Sequence, residues 1–259
     1  MIKSEDHSAE LLKLAVDVAT QAATLLSKRP SNFEINQKSS AVDFATQMDH
    51  ASEKLIVEAI LAARPGDGII GEEGAAREST SGITWVIDPL DGTVNYFYGL
   101  PGWNVSVAAK DDQGVLVGVV CAPTINSTWT AVRGGGAKWN GNPITCNDPI
   151  TLDRALIATG FSYSLEKRVG QAEFAKNLIP HVRDIRRAGA AAVDLCHVAM
   201  GAVDGYFEID LKEWDLAAGG LIAREAGALV TGRNGGAAGE AMVIAAGPAL
   251  HGELTARIG

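Results

Sequence analysis

The sequence predicts a mixed fold, α+β in its first half and α/β in its second. Three observations predict it. Two stretches, 11–26 and 47–63, repeat apolar residues at helical spacing. Four runs between residues 85 and 133 read as neighbouring strands. Beyond residue 150, short apolar runs and helical patterns take turns.

Taken in order, Leu11, Leu12, Ala15, Val18, Ala19, Ala22 and Leu26 share one helical face, and the stretch stops before Arg29-Pro30. A second helix covers about Gln47 to Ala63, with Leu55, Ile56, Ala59 and Ile60 on one face. Arg64-Pro65-Gly66 ends it. A short strand, Ile69-Ile70, runs into Gly71-Glu72-Glu73-Gly74. Trp85-Val86-Ile87 leads into DPLDGT at 88–93. Val105, Val107 and Ala109 alternate with polar or small residues. So do Val115, Val117, Val119 and Cys121, with Asp111 to Gly114 as the turn between. Thr128 to Arg133 is a further strand, and Asn140-Gly141 is a hairpin turn signal. These strands imply an antiparallel sheet packed on the first two helices, together filling residues 1–150.

Residues 151–259 then alternate. The order is a strand at 155–158, a helix near 171–179, a strand near Ile185 and a helix over 190–200. A strand at 203–208, a helix over 215–226 ended by Gly227, and a strand at 243–245 follow. Gly232 to Gly239 reads as a surface loop.

The chain has 259 residues, enough for one large domain or two that share an interface. At 47% hydrophobic and 20% charged residues it can bury a sizeable core. Its formal charge of −9 offers no overall attraction to nucleic acid or an anionic membrane. An anionic substrate therefore needs a local reversal of sign. The start is polar and lacks the apolar core of a signal peptide, and no apolar run is long enough to span a bilayer. Cys121, Cys146 and Cys196 fit neither a disulfide framework nor a CxxC site, so reduced thiols in a cytoplasmic setting are expected. No HExxH pair occurs among the histidines.

Four acids occupy suggestive places. Glu72 follows a strand at a Gly turn, Asp88 ends a strand, Asp91 lies in the turn after it, and Asp215 opens a helix after Trp214. Alone, each reads as an ordinary turn or helix-start acid. Pro89 restricts the backbone between Asp88 and Asp91, so that pair has a defined relative position. If the four converge, each close pair costs roughly 4 kcal/mol at a surface-like dielectric. The carboxylates then protonate or bind cations. Oxygen donors without Cys or His select magnesium, manganese or calcium.

Known motifs narrow this. Leu90 breaks the alternating acids of an EF-hand loop. DPLDGT is similar to the DxDGT of aspartyl-phosphate phosphatases, but Pro89 stands at the nucleophile position and cannot serve. No GxxxxGK[ST] occurs.

GEEG at 71–74, WVIDPLDGTVNYFYGLP at 85–101 and EWDLAAGGLIAREAG at 213–227 resemble the inositol monophosphatase family. KSSAVDFATQMD at 38–49 and RRAGAAAVDLCHVAMG at 186–201 match as well, so the resemblance covers nearly the whole chain. It implies an αβαβα layered sandwich of the sugar-phosphatase type. It also implies a magnesium-dependent, lithium-sensitive hydrolase that uses two or three Mg2+ ions. Glu72, Asp88 and the Leu90 carbonyl would hold the first ion, and Asp88, Asp91 and Asp215 the second. Glu72 would also hold a third, weaker one. Glu72 and Thr93 would orient the attacking water, with Asp49 bonded to Thr93. The N–H groups of Gly92, Thr93, Ala190 and Ala191 would take phosphate oxygens. Glu208 matches the position that contacts an inositol hydroxyl. Leu90, Asp91, Gly189 and Asp215 complete the expected substrate surroundings.

The implied substrate is a small phosphorylated polyol, inositol 1-phosphate, and the implied assembly a homodimer. Histidinol phosphate, fructose 1,6-bisphosphate and NADP are alternatives with the same chemistry. An interaction module of the transcription machinery is an alternative of another class. Ala190 stands where relatives often carry Thr or Ser, and Lys212 and Glu213 are expected to tune the mouth of the site.

Overall fold

A computed structural model of the chain describes residues 2–40 and 43–258. Ala41 and Val42, inside the 38–49 stretch, lie outside the described residues. Helix α1 (Ile2–Leu26) is followed by strands β1 (Ile35–Ser40) and β2 (Asp43–Thr46), which pair antiparallel. Helix α2 (Gln47–Ala63) packs on α1. The start of α2 is set by a capping box. The Thr46 hydroxyl accepts from the Met48 N–H at 3.1 Å, and Asp49 accepts from the Thr46 N–H at 2.8 Å.

Next come β3 (Gly68–Gly71), β4 (Ala76–Arg77), β5 (Thr84–Asp91) and the short helix α3 (Thr93–Tyr98). They are followed by β6 (Asn104–Asp111), β7 (Gly114–Ala122), β8 (Ser127–Val132), β9 (Gly136–Trp139) and β10 (Asn142–Ile144). Among the described residues these strands form an eight-stranded sheet in the order β10-β9-β8-β7-β6-β5-β3-β4. The expectation of an antiparallel sheet needs one correction: β3 and β5 pair parallel. The chain places β4 on the outer side of β3 and then returns to its inner side, so β3 and β5 run the same way.

The rest comprises β11 (Leu156–Thr159), α4 (Leu165–Leu178), β12 (Asp184–Arg186), α5 (Ala191–Ala199) and β13 (Gly205–Glu208). Helix α6 (Glu213–Glu225), β14 (Leu229–Thr231), β15 (Val243–Ala246) and α7 (Pro248–Ile258) complete it. The sheet here runs β12-β11-β13-β15-β14. Its first three strands are parallel, and β15 is antiparallel to both neighbours.

Side-chain alternation explains the layering. Val105, Val107, Ala109, Val117 and Val119 point into one buried cluster with α1 and α2. Ala108, Val120, Ala122 and Trp129 point the other way, into a cluster with α5 and α6. Both faces of the central strands are therefore covered. Ile157, Phe207 and Ile244 turn to a third cluster under α7, joined at its edge by Leu178 of α4. The layers are α1/α2, large sheet, α5/α6, small sheet, α4/α7, the αβαβα order expected. No helix among the described residues is long and apolar enough to cross a membrane.

Candidate active site

The site begins with an irregularity at the end of β5. In a regular strand, residues three apart point to opposite faces. Yet Asp88 pairs with Ser106, and Asp91 with Asn104. Pro89 and Leu90 together oppose Val105 alone, so the strand carries a bulge. The extra residue brings Asp88 and Asp91 onto the same face, toward α5 and α6. Pro89 suits the bulge because it has no N–H to leave unpaired. Asp91 is thus the last residue of the bulged strand, where the sequence suggested a turn.

Other elements close on this point. Asp91 Oδ2 accepts from the Asn104 amide at 2.8 Å and from the Ala192 N–H, in the first turn of α5, at 2.9 Å. Asp215, in the first turn of α6, accepts from the Lys212 N–H at 2.6 Å. Glu72 follows β3, and its N–H donates to the Ile87 carbonyl on β5 at 3.2 Å. Thr93 opens α3. Its hydroxyl lies 3.0 Å from Asp49 Oδ1 and 3.1 Å from the Leu90 carbonyl. Asp49 is fully buried and also bonded to Thr46, so the Thr93 hydroxyl rests on a fixed acceptor.

The electrostatics are those of crowded acids. Burial pushes the Asp88 carboxyl well above its ordinary range, and Glu72, Asp91 and Asp215 push it further. Asp215 is raised well above its usual value by burial, then by Glu72 and Asp91. Asp91 is raised to about 6, chiefly by burial, with Asn104 and Ala192 opposing. Burial alone would lower the Lys38 ammonium, but Glu72 and Glu73, at 2.9 and 2.5 Å, hold it above its usual value.

Among the described residues, no three Asp, Glu, His or Cys side chains are already grouped to hold a metal ion. The reason is visible. Glu72 is drawn to Lys38, Asp215 caps its own helix, and Asp91 is spent on Asn104 and Ala192. The acids are near enough to repel one another without closing on a common point. Their chemistry still fits a hard dication: the donors are all oxygen, and the repulsion is what such a charge relieves. Asn104 adds an acceptor, because its Oδ1 is buried without a partner among the described residues.

A pocket of about 120 Å3 adjoins the acids, lined by Asp91, Gly92, Gly189, Ala190, Ala191, Glu208 and Asp215. Gly92 has φ +84, and a Cβ there would lie 3.3 Å from both the Ala190 Cβ and the Gly189 carbonyl. Only glycine lets the β5–α3 turn approach α5 this closely. Asn95 secures the approach by donating to the Ala188 carbonyl at 2.9 Å. A wider cleft of about 870 Å3 opens beyond, lined by Lys38, Glu72, Tyr163, Lys212, Trp214 and Asp215 among others. Lys212 and Glu240 both line it and pair at 2.5 Å, whereas Glu213 pairs with Lys110 at 2.5 Å and does not line the cleft.

Sequence reasoning missed Lys38, Asn95, Asn104 and Glu53. Glu53 had a readable signal. The buried stripe of α2 runs Asp49, Ser52, Glu53, Ile56, Ile60, so it turns polar where the helix meets the site. Glu53 accepts from the Glu73 N–H at 2.9 Å and the Ala75 N–H at 3.0 Å, anchoring the loop that carries Glu72. Glu53→Ala leaves both donors, which are half-buried, without their acceptor. It is expected to cost on the order of 3 kcal/mol in urea unfolding. A cost below about 0.5 kcal/mol would show that the loop holds its shape without Glu53.

Residues 7–258 match the model of the inositol monophosphatase family. The inositol-1-monophosphatase of Mycobacterium leprae is 37% identical, over 98% of this chain and 95% of that protein. A protein of Pasteurella multocida named Nus factor SuhB is 44% identical, over 87% of this chain and 86% of its own length. The crystal structure of the extragenic suppressor protein suhB of Bartonella henselae superposes with a TM-score of 0.92 at 32% identity, covering 96% of this chain and 98% of that one. A family match across almost the whole length makes the chain a member of the inositol monophosphatase family and a phosphatase.

Proposed function

We propose that the chain hydrolyses inositol 1-phosphate to inositol and phosphate in a magnesium-dependent reaction. The observation that carries the reading is the bulge, which turns Asp88 and Asp91 to one face opposite Asp215 and the start of α5. Two ions fit the donors. Glu72, Asp88 and the Leu90 carbonyl would hold one, and Asp88, Asp91 and Asp215 the other, with Glu72 available to a third. Bound magnesium supplies positive charge for the phosphate and a readily deprotonated water.

The protein's own groups do the positioning. Thr93, fixed on Asp49, and Glu72 orient the attacking water. Gly92, Gly189, Ala190 and Ala191 wall the phosphate side with backbone and small side chains. The N–H groups of Gly92, Thr93, Ala190 and Ala191 take phosphate oxygens; that of Ala192 stays on Asp91, and that of Ala191, which also reaches Asp91, turns to the phosphate. Ala190 contributes no hydroxyl. Glu208, raised to about 7 mainly by burial, faces the leaving group as a hydrogen-bond acceptor.

Released phosphate, measured with magnesium on inositol 1-phosphate, histidinol phosphate, fructose 1,6-bisphosphate and NADP, tests the substrate. The highest kcat/KM is expected on inositol 1-phosphate. A clear preference for another ester changes the substrate and leaves the phosphatase chemistry standing. A homodimer, which rests on the family resemblance, and a cytoplasmic location, which rests on the unpaired thiols of Cys121, Cys146 and Cys196, belong to the same proposal.

A second reading has one observation behind it, the relative named Nus factor SuhB. It makes the chain an interaction partner of the transcription machinery. Capture of that machinery from lysate by both the wild type and Asp88→Asn would favour it.

A further inference from the structure

The leaving-group side of the pocket holds an acid that the phosphatase reading leaves unused. Asp194 lies in the first turn of α5, is 2% exposed, and lines the same pocket as Glu208 and Gly92. Among the described residues no hydrogen bond or ion pair reaches its carboxylate. Burial raises it well above its ordinary range, and Glu208 and Asp91 raise it further. A buried carboxyl is costly unless something bonds it. An acid serving only the fold would cap a helix or pair with a cation, and this one does neither.

Its neighbour is fixed in place. Glu208 Oε2 accepts from the Tyr206 hydroxyl at 2.6 Å. Behind it, a Cβ on Gly160 would lie 2.0 Å from that same oxygen, so the backbone just past β11 forms a wall against the carboxylate. Arg187 also lines the pocket, and it opposes the shifts of both Asp194 and Glu208 without an ion pair to either. Two acids thus face one cation, and the pocket keeps a surplus of acceptors and of negative charge.

Building on the phosphatase reading, we propose that Asp194 is a specificity-determining residue of the leaving-group pocket. With Glu208 it forms a two-carboxylate cradle for a leaving group that bears two hydrogen-bond donors, either two hydroxyls or a hydroxyl and an ammonium. A leaving group without donors leaves Asp194 unpaired. A donor-bearing one supplies the missing partner and gains a charge-assisted bond.

The test compares kcat/KM for inositol 1-phosphate, histidinol phosphate and phenyl phosphate, with magnesium present, in the wild type, Asp194→Asn and Asp194→Ala. In Asp194→Ala the preference for a donor-bearing ester over phenyl phosphate is expected to fall about 10-fold, the value of one charge-assisted bond. The isosteric Asp194→Asn separates the two donors. Its amide oxygen still accepts from a hydroxyl, so the preference for inositol 1-phosphate falls by less than about 3-fold. Its lost charge weakens an ammonium contact, so the preference for histidinol phosphate falls nearly as far as in Asp194→Ala.

A second variant keeps the idea falsifiable if Asp194→Ala does not fold. Glu208→Ala should still favour inositol 1-phosphate over cyclohexyl phosphate by about 10-fold, because Asp194 still reads a donor. Loss of that residual preference, or an equal fall on all three esters in the Asp194 variants, overturns the inference while the phosphatase reading stands. A wild type inert on every ester overturns the phosphatase reading itself.

Discussion

Glu72→Gln and Asp88→Asn are each expected to lower kcat by about three orders of magnitude, roughly 4 kcal/mol of barrier. Asp88 is proposed to touch both ions and Glu72 to hold an ion and the water, so each change removes a charge that nothing nearby replaces. The amides keep the shape of the side chains, and the fold is expected to survive. For Asp88→Asn the metal-free protein should melt at a higher temperature at neutral pH. Burial and the facing charges of Glu72, Asp91 and Asp215 make the ionised Asp88 carboxyl unfavourable, and an amide is free of that penalty. Initial rates with saturating magnesium, together with thermal melts in chelator, check both parts. A rate loss under about 10-fold would remove these residues from the catalytic machinery. A melt that falls in Asp88→Asn would make the residue a structural acid at a strand end.

The layers and the site were legible in the sequence to different depths. Helix α2 could be read to both ends, because its cap and its Pro65-Gly66 stop are local chemistry. The alternation at Val105, Val107 and Ala109 revealed one face of β6, and that face packs on α1 and α2. Its other face is lined by small residues such as Ala108, which carry little pattern, so the layer of α5 and α6 was not visible from that strand. Strand β1 is polar, INQKSS, and gives no periodic signal. Helix α3 is too short to show one, and α7 opens on Pro248 and buries few apolar residues, Leu250, Leu254 and Ile258.

Within the site, the stiffness of the Asp88–Asp91 segment was readable from Pro89. The bulge was not, because it exists only in register with β6. Lys38 reaches Glu72 across 34 residues of sequence, and Asn104 reaches Asp91 across 13. Such partners are set by tertiary packing and leave no local trace. Asp194 was passed over for the same reason: in the sequence it is an ordinary acid in the first turn of a helix. Only its burial beside Glu208 separates it from that reading.

Removing the metal should abolish turnover and also change how stability depends on pH. In chelator, phosphate release is expected to fall to the uncatalysed rate and to return with magnesium. Calcium should occupy the site and fail to restore the rate, because its looser coordination misplaces the water. The stability effect follows from acids whose folded-state values lie above ordinary ones. Asp91 is raised to about 6 and Glu208 to about 7, each chiefly by burial, and Asp88, Asp194 and Asp215 are raised well above their usual range. The folded protein therefore holds protons that the unfolded chain releases. This contribution is fully present below the ordinary carboxylate range, near pH 4, and is lost as pH rises through the folded values. Without metal, the melting temperature should fall between about pH 5 and pH 8. With magnesium on the ionised carboxylates, as proposed, its stabilisation should be larger at pH 8 than at pH 5 and should flatten the profile. Scanning fluorimetry in chelator and in magnesium, across that range, reads both slopes. Full activity in chelator would end the metal-dependent reading. A metal-free profile that rises from pH 5 to pH 8, or a magnesium shift that does not grow with pH, would mean that these acids are not the ones the ions engage.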